Sequence, residues 1–401
     1  MQTFLDKAFR DTADGREAEK ILRSCVHCGF CNATCPTYQL LGDERDGPRG
    51  RIYLIKEMLE HNRATRETQL HLDRCLTCRS CETTCPSGVD YNRLLEIGRK
   101  QVEKKVPRPA TERLQRKLLL ETVPDPQRLQ PLLKLGNLAR PFLPGTLQNK
   151  MPRLAGRHEP WPDKRHDRSV LLLQGCVQSV THPQINAAAA KVLDRAGISA
   201  LPASGCCGAL SQHMSQEEQA RGSARCNIDS WWPLVEAGAE AVLLTASGCA
   251  PTVMDYGRLL ENDPVYAEKA ATLSTLAMDI SEFLEGLDRE ALKPADLPGG
   301  PIAFHSPCSL QHGLKRPGRV EKLLGELGFE LTPIADPHLC CGSAGSYSIL
   351  QKELAEQLRV NKVRNLEAGS PILVATANIG CLQHIQGGTS LQVLHWVQLL
   401  A

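Results

Sequence analysis

Short apolar runs alternate with longer amphipathic stretches in the second half of the chain. The runs span residues 170–173, 241–244, 302–304 and 372–377, and the stretches 183–196 and 351–367 carry apolar residues at helical spacing. A short, uninterrupted apolar run is typical of a strand buried on both faces of a parallel sheet. Strands that alternate with helices therefore predict doubly wound, parallel α/β units in this half.

The first hundred residues show a helical pattern instead. Ile52, Ile55 and Met58 recur on one helix face, which predicts a helix over 51–60, and the sequence Gly-Pro-Arg-Gly at 47–50 predicts a turn before it.

No apolar run approaches the roughly 20 residues that a membrane-spanning helix needs. The first 16 residues mix charges and lack the apolar stretch of a signal peptide. We therefore expect a cytoplasmic protein, either free or peripheral on the cytoplasmic face of the inner membrane.

Composition and charge are those of a soluble globular protein, with one exception. Of the 401 residues, 42% are hydrophobic and 23% are charged, which excludes wholesale disorder, and the length predicts two or three domains. The net charge of +2 argues against a nucleic-acid-binding protein. The exception is the 17 cysteines. Their number is odd and no export signal is evident, so metal binding in a reducing compartment explains them better than disulfide bonds.

Eight cysteines form two copies of the pattern C-x-x-C-x-x-C-x-x-x-C-P. The first copy is Cys25, Cys28, Cys31 and Cys35, and the second is Cys75, Cys78, Cys81 and Cys85. This is the bacterial ferredoxin spacing for [4Fe–4S] clusters, in which the fourth cysteine of each copy binds the other cluster. It predicts Cys25, Cys28, Cys31 and Cys85 around one cluster, and Cys75, Cys78, Cys81 and Cys35 around the other. A pair of zinc sites is the alternative, although zinc prefers two C-x-x-C pairs, often with histidine.

A longer repeat, of about 132 residues, relates most of the other cysteines. Cys176, Cys206, Cys207 and Cys249 match Cys308, Cys340, Cys341 and Cys381, with one Cys-Cys-Gly sequence in each copy. They follow predicted strands, and the carboxyl ends of parallel strands meet at one edge of a sheet. We expect each repeat to gather four thiols there, either as a metal, cluster or redox site or as buried, inert side chains. Cys226 has no counterpart, which predicts a core residue.

These patterns divide the chain into four segments. We predict an α+β multi-domain protein: a helical two-cluster ferredoxin-like domain (residues 1–100), a linker (101–168) and two Cys-Cys-Gly α/β repeats (169–300 and 301–401). Ten of the 26 prolines lie between Pro107 and Pro162, and residues 99–168 include 17 Lys and Arg against 7 Asp and Glu. This composition predicts a connector with short helices. The connector is either solvated or a docking surface for an acidic partner or anionic lipid.

Several segments resemble the iron–sulfur subunits of bacterial glycolate oxidases. They begin at Cys25 (Cys-Val-His-Cys-Gly-Phe-Cys), Tyr38, Asp46, His71, Thr245, His338 and Thr376. The ferredoxin pattern alone occurs in many respiratory subunits. The Cys-Cys-Gly repeats narrow the resemblance to a group that includes anaerobic glycerol-3-phosphate dehydrogenase cluster subunits, lactate-utilisation proteins and heterodisulfide reductase subunits. The sequence Gly-Asp-Glu-Arg-Asp-Gly-Pro-Arg-Gly, from Gly42, favours the glycolate member of that group.

The resemblance implies an electron-transfer subunit of a glycolate dehydrogenase complex, with no catalytic residue for substrate oxidation on this chain. Two [4Fe–4S] clusters would pass electrons from flavin on partner subunits to a quinone or another acceptor. No G-x-G-x-x-G motif marks a flavin site in the sequence itself. Three alternatives stay open: a cluster subunit for glycerol 3-phosphate or lactate, a thiol–disulfide reductase, and a zinc-bound interaction protein.

Both repeats depart from the heterodisulfide reductase pattern. Those subunits close each repeat with C-x-x-C, which supplies a fifth thiol for a non-cubane cluster, whereas Thr252 and His384 stand at that position here. Whether the repeats hold a further cluster therefore stays open. His305, His338 and His384 lie close in sequence to Cys308, Cys340 and Cys381, and they are candidates for proton donors, extra ligands or structural residues.

Overall fold

The N-terminal part is helical throughout in the computed structural model, which describes residues 1–140 and 159–401. Its helices are Lys7–Arg10, Ala13–Ser24, Pro36–Leu41, Pro48–Glu60, Arg66–Asp73, Ser80–Thr84 and Tyr91–Lys105, with short 3-10 turns at Phe30–Asn32 and Glu44–Asp46. Leu22, Ile55 and Leu94 are among the fully buried residues of its core. The helix predicted over 51–60 is confirmed, but the turn predicted at 47–50 is wrong. Pro48 is already the first helical residue, where its missing N–H costs no hydrogen bond.

Two further helices, Ala110–Thr122 and Pro126–Ala139, follow this part. Neither helix has a buried residue. Leu114, Leu118, Leu132, Leu135 and Leu138 are between 52% and 75% exposed. The prediction of short helices in the linker is therefore confirmed for this stretch, while residues 141–158 of the predicted linker lie outside the described residues.

The first repeat is built on a four-stranded parallel sheet. Its strands are β1 (Arg168–Leu173), β2 (Ile198–Ala203), β3 (Val242–Leu244) and β4 (Ala277–Asp279), in the order β2-β1-β3-β4. The accompanying helices are Cys176–Thr181, Gln184–Arg195, Ala209–His213, Glu217–Glu236, Ala250–Met254, Tyr256–Leu259, Ala267–Leu276, Ile280–Glu285 and Arg289–Leu292. Val170 and Leu172 face one apolar core, and Leu171 and Leu173 face another. Both faces of the sheet are thus covered, which confirms the doubly wound prediction.

The second repeat has a smaller sheet of three parallel strands. These are β5 (Ile302–His305), β6 (Leu373–Thr376) and β7 (Gln392–His395), in the order β5-β6-β7. Its helices are Arg319–Glu326, Tyr347–Leu350, Lys352–Glu367 and Ile379–Gln386, with a π turn at Ser309–Gly313 and a 3-10 turn at Trp396–Leu400. In the register of β5 and β6, His305 lies opposite Thr376. In place of a β2 equivalent, Leu331 forms a single bridge to Ile302.

The second repeat packs against both other parts of the chain. One core contains β1 residues such as Val170 together with Phe304 and Trp396, so the two repeats share their interior. A smaller apolar group joins Leu76 of the N-terminal part to Cys340 and its neighbours. This packing places the second copy of the ferredoxin pattern beside the second repeat.

Candidate iron–sulfur sites

The first thiol quartet consists of Cys25, Cys28, Cys31 and Cys85, which line a common cavity. Cys25 follows the helix Ala13–Ser24, and Cys85 follows the helix Ser80–Thr84. His27 and Gly29 between the first three cysteines have φ angles of 56° and 85°. These left-handed residues curl the loop so that its side chains converge on the cavity.

The second thiol quartet consists of Cys35, Cys75, Cys78 and Cys81, which line a neighbouring cavity; Cys81 also borders the first. Thr77 and Arg79 have φ angles of 56° and 61°, at the positions that correspond to His27 and Gly29. The sequence repeat is therefore also a repeat of backbone conformation. The structure brings together the same two groups of four that crossed ligation requires.

The electrostatics of both quartets call for a bound cation. Burial raises the pKa of Cys31 to about 11, and the nearby thiols of Cys25 and Cys85 add to the effect. Burial likewise raises the pKa of Cys78 and Cys81, with neighbouring thiols contributing. A thiol must lose its proton to become a metal ligand, so positive charge at the centre of each quartet has to compensate this cost. The residues that line the two cavities include no carboxylate, and all-thiolate sets of four suit [4Fe–4S] clusters.

Polar groups surround the second quartet closely. Thr37 Oγ1 lies 3.3 Å from Cys35 Sγ, and the Arg51 guanidinium donates to the same sulfur at 3.9 Å. The Tyr91 hydroxyl donates to Cys75 Sγ at 3.7 Å. Arg51 is held by the buried carboxylate of Asp46, which also accepts hydrogen bonds from other side chains. The sequence alone does not predict the pairing of Arg51 with Asp46, because only the folded chain brings the two side chains together in the core.

The thiols of each Cys-Cys-Gly repeat also meet. In the first repeat, Cys206 contacts both Cys176 and Cys207, and these contacts lower the pKa of Cys206 to about 3; Cys207 contacts Cys249 as well. In the second repeat, Cys308 Sγ lies 3.8 Å from Cys340 Sγ, and Cys341 contacts both Cys340 and Cys381. Each repeat thus gathers the four thiols that the sequence predicts.

Cys226 is not a core residue, so this prediction is wrong. It is exposed on the helix Glu217–Glu236, whose buried face carries Ala220, Ala224 and Trp231. Those residues follow helical spacing, and Cys226 falls outside that spacing. The general tendency of free cysteine to be buried is overridden here by its position on the helix.

Two family models match the chain. The model for 4Fe-4S dicluster domains matches residues 21–89, which contain both quartets. The model for the cysteine-rich domain matches residues 170–253 and 302–386, which contain the two repeats. The dicluster match favours clusters over the alternative pair of zinc sites.

A comparison over the full length identifies the family. The chain is 53% identical over 404 residues to the glycolate oxidase iron-sulfur subunit of Escherichia coli (strain K12), covering all of this chain and 98% of that protein. The chain belongs to the family of glycolate oxidase iron–sulfur subunits. A probable glycolate oxidase iron-sulfur subunit of Bacillus subtilis (strain 168) is 29% identical over 96% of this chain. Lactate utilization protein A of Shouchella clausii (strain KSM-K16) is 27% identical over 58% of this chain and 98% of its own length.

Membership of the glycolate oxidase iron–sulfur subunit family confirms the resemblance predicted from the sequence, the [4Fe–4S] cofactors and the electron-transfer role. None of the helices in the described ranges combines the length and hydropathy needed to cross a bilayer.

The described residues also outline a cavity of about 1770 Å³ between the N-terminal part and both repeats. Cys78 of the second quartet lines this cavity together with Cys249 and Cys308, so thiols from three parts of the chain face one space.

Of the three candidate histidines, His338 and His384 make contacts with backbone carbonyl groups or through their own. His384 Nε2 lies 3.2 Å from the carbonyl oxygen of Ala355. The carbonyl oxygen of His338 accepts from His312 Nε2 at 3.0 Å if that nitrogen carries the proton. His305 differs, because its Nε2 is buried and has no hydrogen-bond partner among the described residues.

Proposed function

We propose that this chain is the electron-transfer subunit of a glycolate-oxidising complex, which receives electrons from flavin on partner subunits. A [4Fe–4S] cluster accepts one electron at a time, whereas a hydroxy acid gives up two, so a flavin has to stand between them. The support is the full-length similarity to a glycolate oxidase iron-sulfur subunit together with the paired quartets. Glycolate would be oxidised to glyoxylate on the partner subunits.

The proposed cluster ligands follow the two quartets. Cys25, Cys28, Cys31 and Cys85 would hold one cluster, and Cys35, Cys75, Cys78 and Cys81 the other. The grouping rests on the shared cavities and on the mutual electrostatic influence of the thiols within each group.

The flavin-bearing partner would dock at the first quartet. Cys28 is the exposed thiol among the eight. Val26 and Phe30 on either side of it are 66% and 62% exposed, and Tyr53 stands edge-on to His27 nearby. Exposed aromatic and aliphatic side chains around a redox group are features of a protein interface. Electrons would therefore enter beside Cys28.

Electrons would leave on the side of the second quartet. The Cys78 thiol lies close enough to Cys308 and Cys340 for mutual electrostatic influence. It also borders the large cavity between the quartets and the repeats. A quinone or another acceptor that reaches this cavity would be within range of the second quartet.

Peripheral binding to an anionic membrane surface would bring a quinone within reach. The helices Ala110–Thr122 and Pro126–Ala139 expose five leucines and carry five Lys and Arg against two Asp and Glu. Exposed apolar side chains flanked by basic ones are the signature of an interfacial helix. The test is flotation with vesicles that contain anionic lipid. Leu135→Glu with Leu138→Glu should reduce binding, and Val265→Glu, at another exposed apolar position, should not.

The decisive test of the proposal is reduction by substrate. In the complex assembled anaerobically with its flavin subunits, glycolate should produce the electron paramagnetic resonance signal of reduced clusters. Val26→Glu with Phe30→Glu should abolish reduction by glycolate while reduction by dithionite persists, because only docking is affected. Val265→Glu is the control. The similarity to lactate utilization proteins makes lactate the second candidate substrate. If lactate but not glycolate reduced the clusters, lactate would replace glycolate as the proposed substrate.

A further inference from the structure

A buried imidazole in the second repeat lacks the partner that its environment demands. His305 ends β5, is 2% exposed, and its Nε2 has no hydrogen-bond partner among the described residues. A buried polar atom without a partner costs about 1–3 kcal/mol, so such an atom calls for an explanation. The potential metal ligands beside this imidazole are two cysteine thiols. One ring nitrogen of His305, Cys341 Sγ and Cys381 Sγ all lie within 4.8 Å of one another.

We propose that His305, Cys341 and Cys381 bind a single divalent ion of the zinc class. Imidazole nitrogen and thiolate sulfur are the ligands that zinc prefers, usually in a tetrahedral set of four. Cys340, whose thiol contacts that of Cys341, is the fourth ligand. The ion takes up the lone pair of His305 Nε2, and its binding releases the protons of the three thiols.

The surroundings of His305 already have the arrangement of a metal site. His305 Nδ1 lies 3.0 Å from Thr376 Oγ1 on the adjacent strand. With Nδ1 as the donor, the ring presents the lone pair of Nε2 to the thiols, and such outer hydrogen bonds typically orient metal-binding histidines. The side-chain amide of Asn378 donates to Cys381 Sγ at 3.4 Å, which stabilises that sulfur as a thiolate.

The charges in this region balance when the ion is present. Three thiolates and one divalent cation leave one negative charge. Lys362, which is 3% exposed, influences Cys341 and Cys340 electrostatically and donates to the carbonyl oxygen of Asp336 at 2.8 Å. One buried ammonium group therefore neutralises the whole set, as a buried charge requires.

The first repeat provides an internal contrast. Where the second repeat has His305, Thr376 and Asn378, the first has Leu173, Leu244 and Ala246 at the matching positions. Its four thiols are present, but the imidazole, the hydroxyl that orients it and the amide donor are all absent. The metal site is thus specific to the second repeat, where it fixes the Cys340–Cys341 loop that packs against Cys78.

The test is the metal content of the full chain purified anaerobically with its clusters. We expect one zinc per chain in addition to the iron, and zinc K-edge X-ray absorption should show three sulfurs and one nitrogen. His305→Leu, which copies the first repeat, should lose the zinc and keep the iron. Cys249→Ser, in the first repeat, should keep both. Circular dichroism verifies that each variant is folded.

A milder variant keeps the test sharp should His305→Leu fail to fold. Thr376→Val retains all ligands but removes the orienting hydroxyl, and it should weaken zinc affinity by about 10–100-fold in competition with a chelator. The proposal is overturned if the wild-type chain neither contains nor takes up zinc. It is also overturned if His305→Leu leaves the zinc in place, or if the metal lost is iron.

Discussion

The two thiol quartets share one spacing and one backbone conformation, yet their surroundings differ. The first has an exposed thiol, Cys28, between the exposed side chains of Val26 and Phe30. The second is covered by the second repeat and has buried Arg51 and Tyr91 as hydrogen-bond donors to its sulfurs. Spacing decides which cofactor a loop can bind, whereas the surroundings decide its potential and its neighbours. We call the first the outer quartet and the second the inner quartet, because the two copies of one motif differ in their exposure.

The largest expected effect comes from removing one ligand of the inner quartet. Under crossed ligation Cys35→Ser loses the inner cluster, so iron should fall from about eight to about four atoms per chain. The remaining paramagnetic signal should match that of Cys75→Ser and differ from that of Cys25→Ser. Iron analysis and electron paramagnetic resonance of anaerobic protein measure both. A Cys35→Ser spectrum identical to that of Cys25→Ser would mean that ligation is not crossed.

The next largest effect concerns stability around the inner quartet. Arg51 and Asp46 form an ion pair that is 1% and 0% exposed. Arg51→Gln removes this cation while Asp46 keeps Arg74 and His71 as partners, so the expected loss is about 1–3 kcal/mol, that of a buried hydrogen-bonding group left without one partner. Arg49→Gln is the matched control near the outer quartet, because its pair with Glu44 is 36% and 42% exposed and is worth ~0–1 kcal/mol. Anaerobic urea denaturation followed by cluster absorbance compares the two, and equal losses of stability would refute the distinction.

The smallest effect is on the potential of the inner cluster. Tyr91→Phe removes the hydroxyl that donates to Cys75 Sγ, and the loss of a donor to a ligand sulfur disfavours the reduced, more negative state. A neutral hydrogen bond is worth about 1 kcal/mol, or ~40 mV for a one-electron couple, so the potential should fall by that amount. Tyr53→Phe, beside the outer quartet, should change neither potential. A redox titration that finds no shift in Tyr91→Phe contradicts the role of this hydroxyl.

Local patterns carried the predictions that the structure confirms. The strands around residues 170 and 302, the helix over 51–60 and the meeting of thiols within each repeat follow from periodicity, spacing and the geometry of parallel sheets. The features that sequence did not predict depend on residues far apart in the chain. Asp46 meets His71 and Arg74, and His305 meets Cys341, only after packing is complete. Burial of Cys226 is predicted from its lack of a counterpart in the other repeat, but its position on the helix Glu217–Glu236 places it in solvent.

Because the second repeat encloses the inner quartet, the inner cluster has to be inserted at a particular stage of protein synthesis. The outer quartet is complete once residue 85 has been made, but the inner one is enclosed by residues near Cys340 and Tyr347, and the Tyr347 hydroxyl donates to the carbonyl oxygen of Arg74 at 3.1 Å. Since chains fold from the N-terminus as they leave the ribosome, this enclosure has to wait for the last part of translation. We expect the inner cluster to be inserted while the nascent chain still leaves its pocket open.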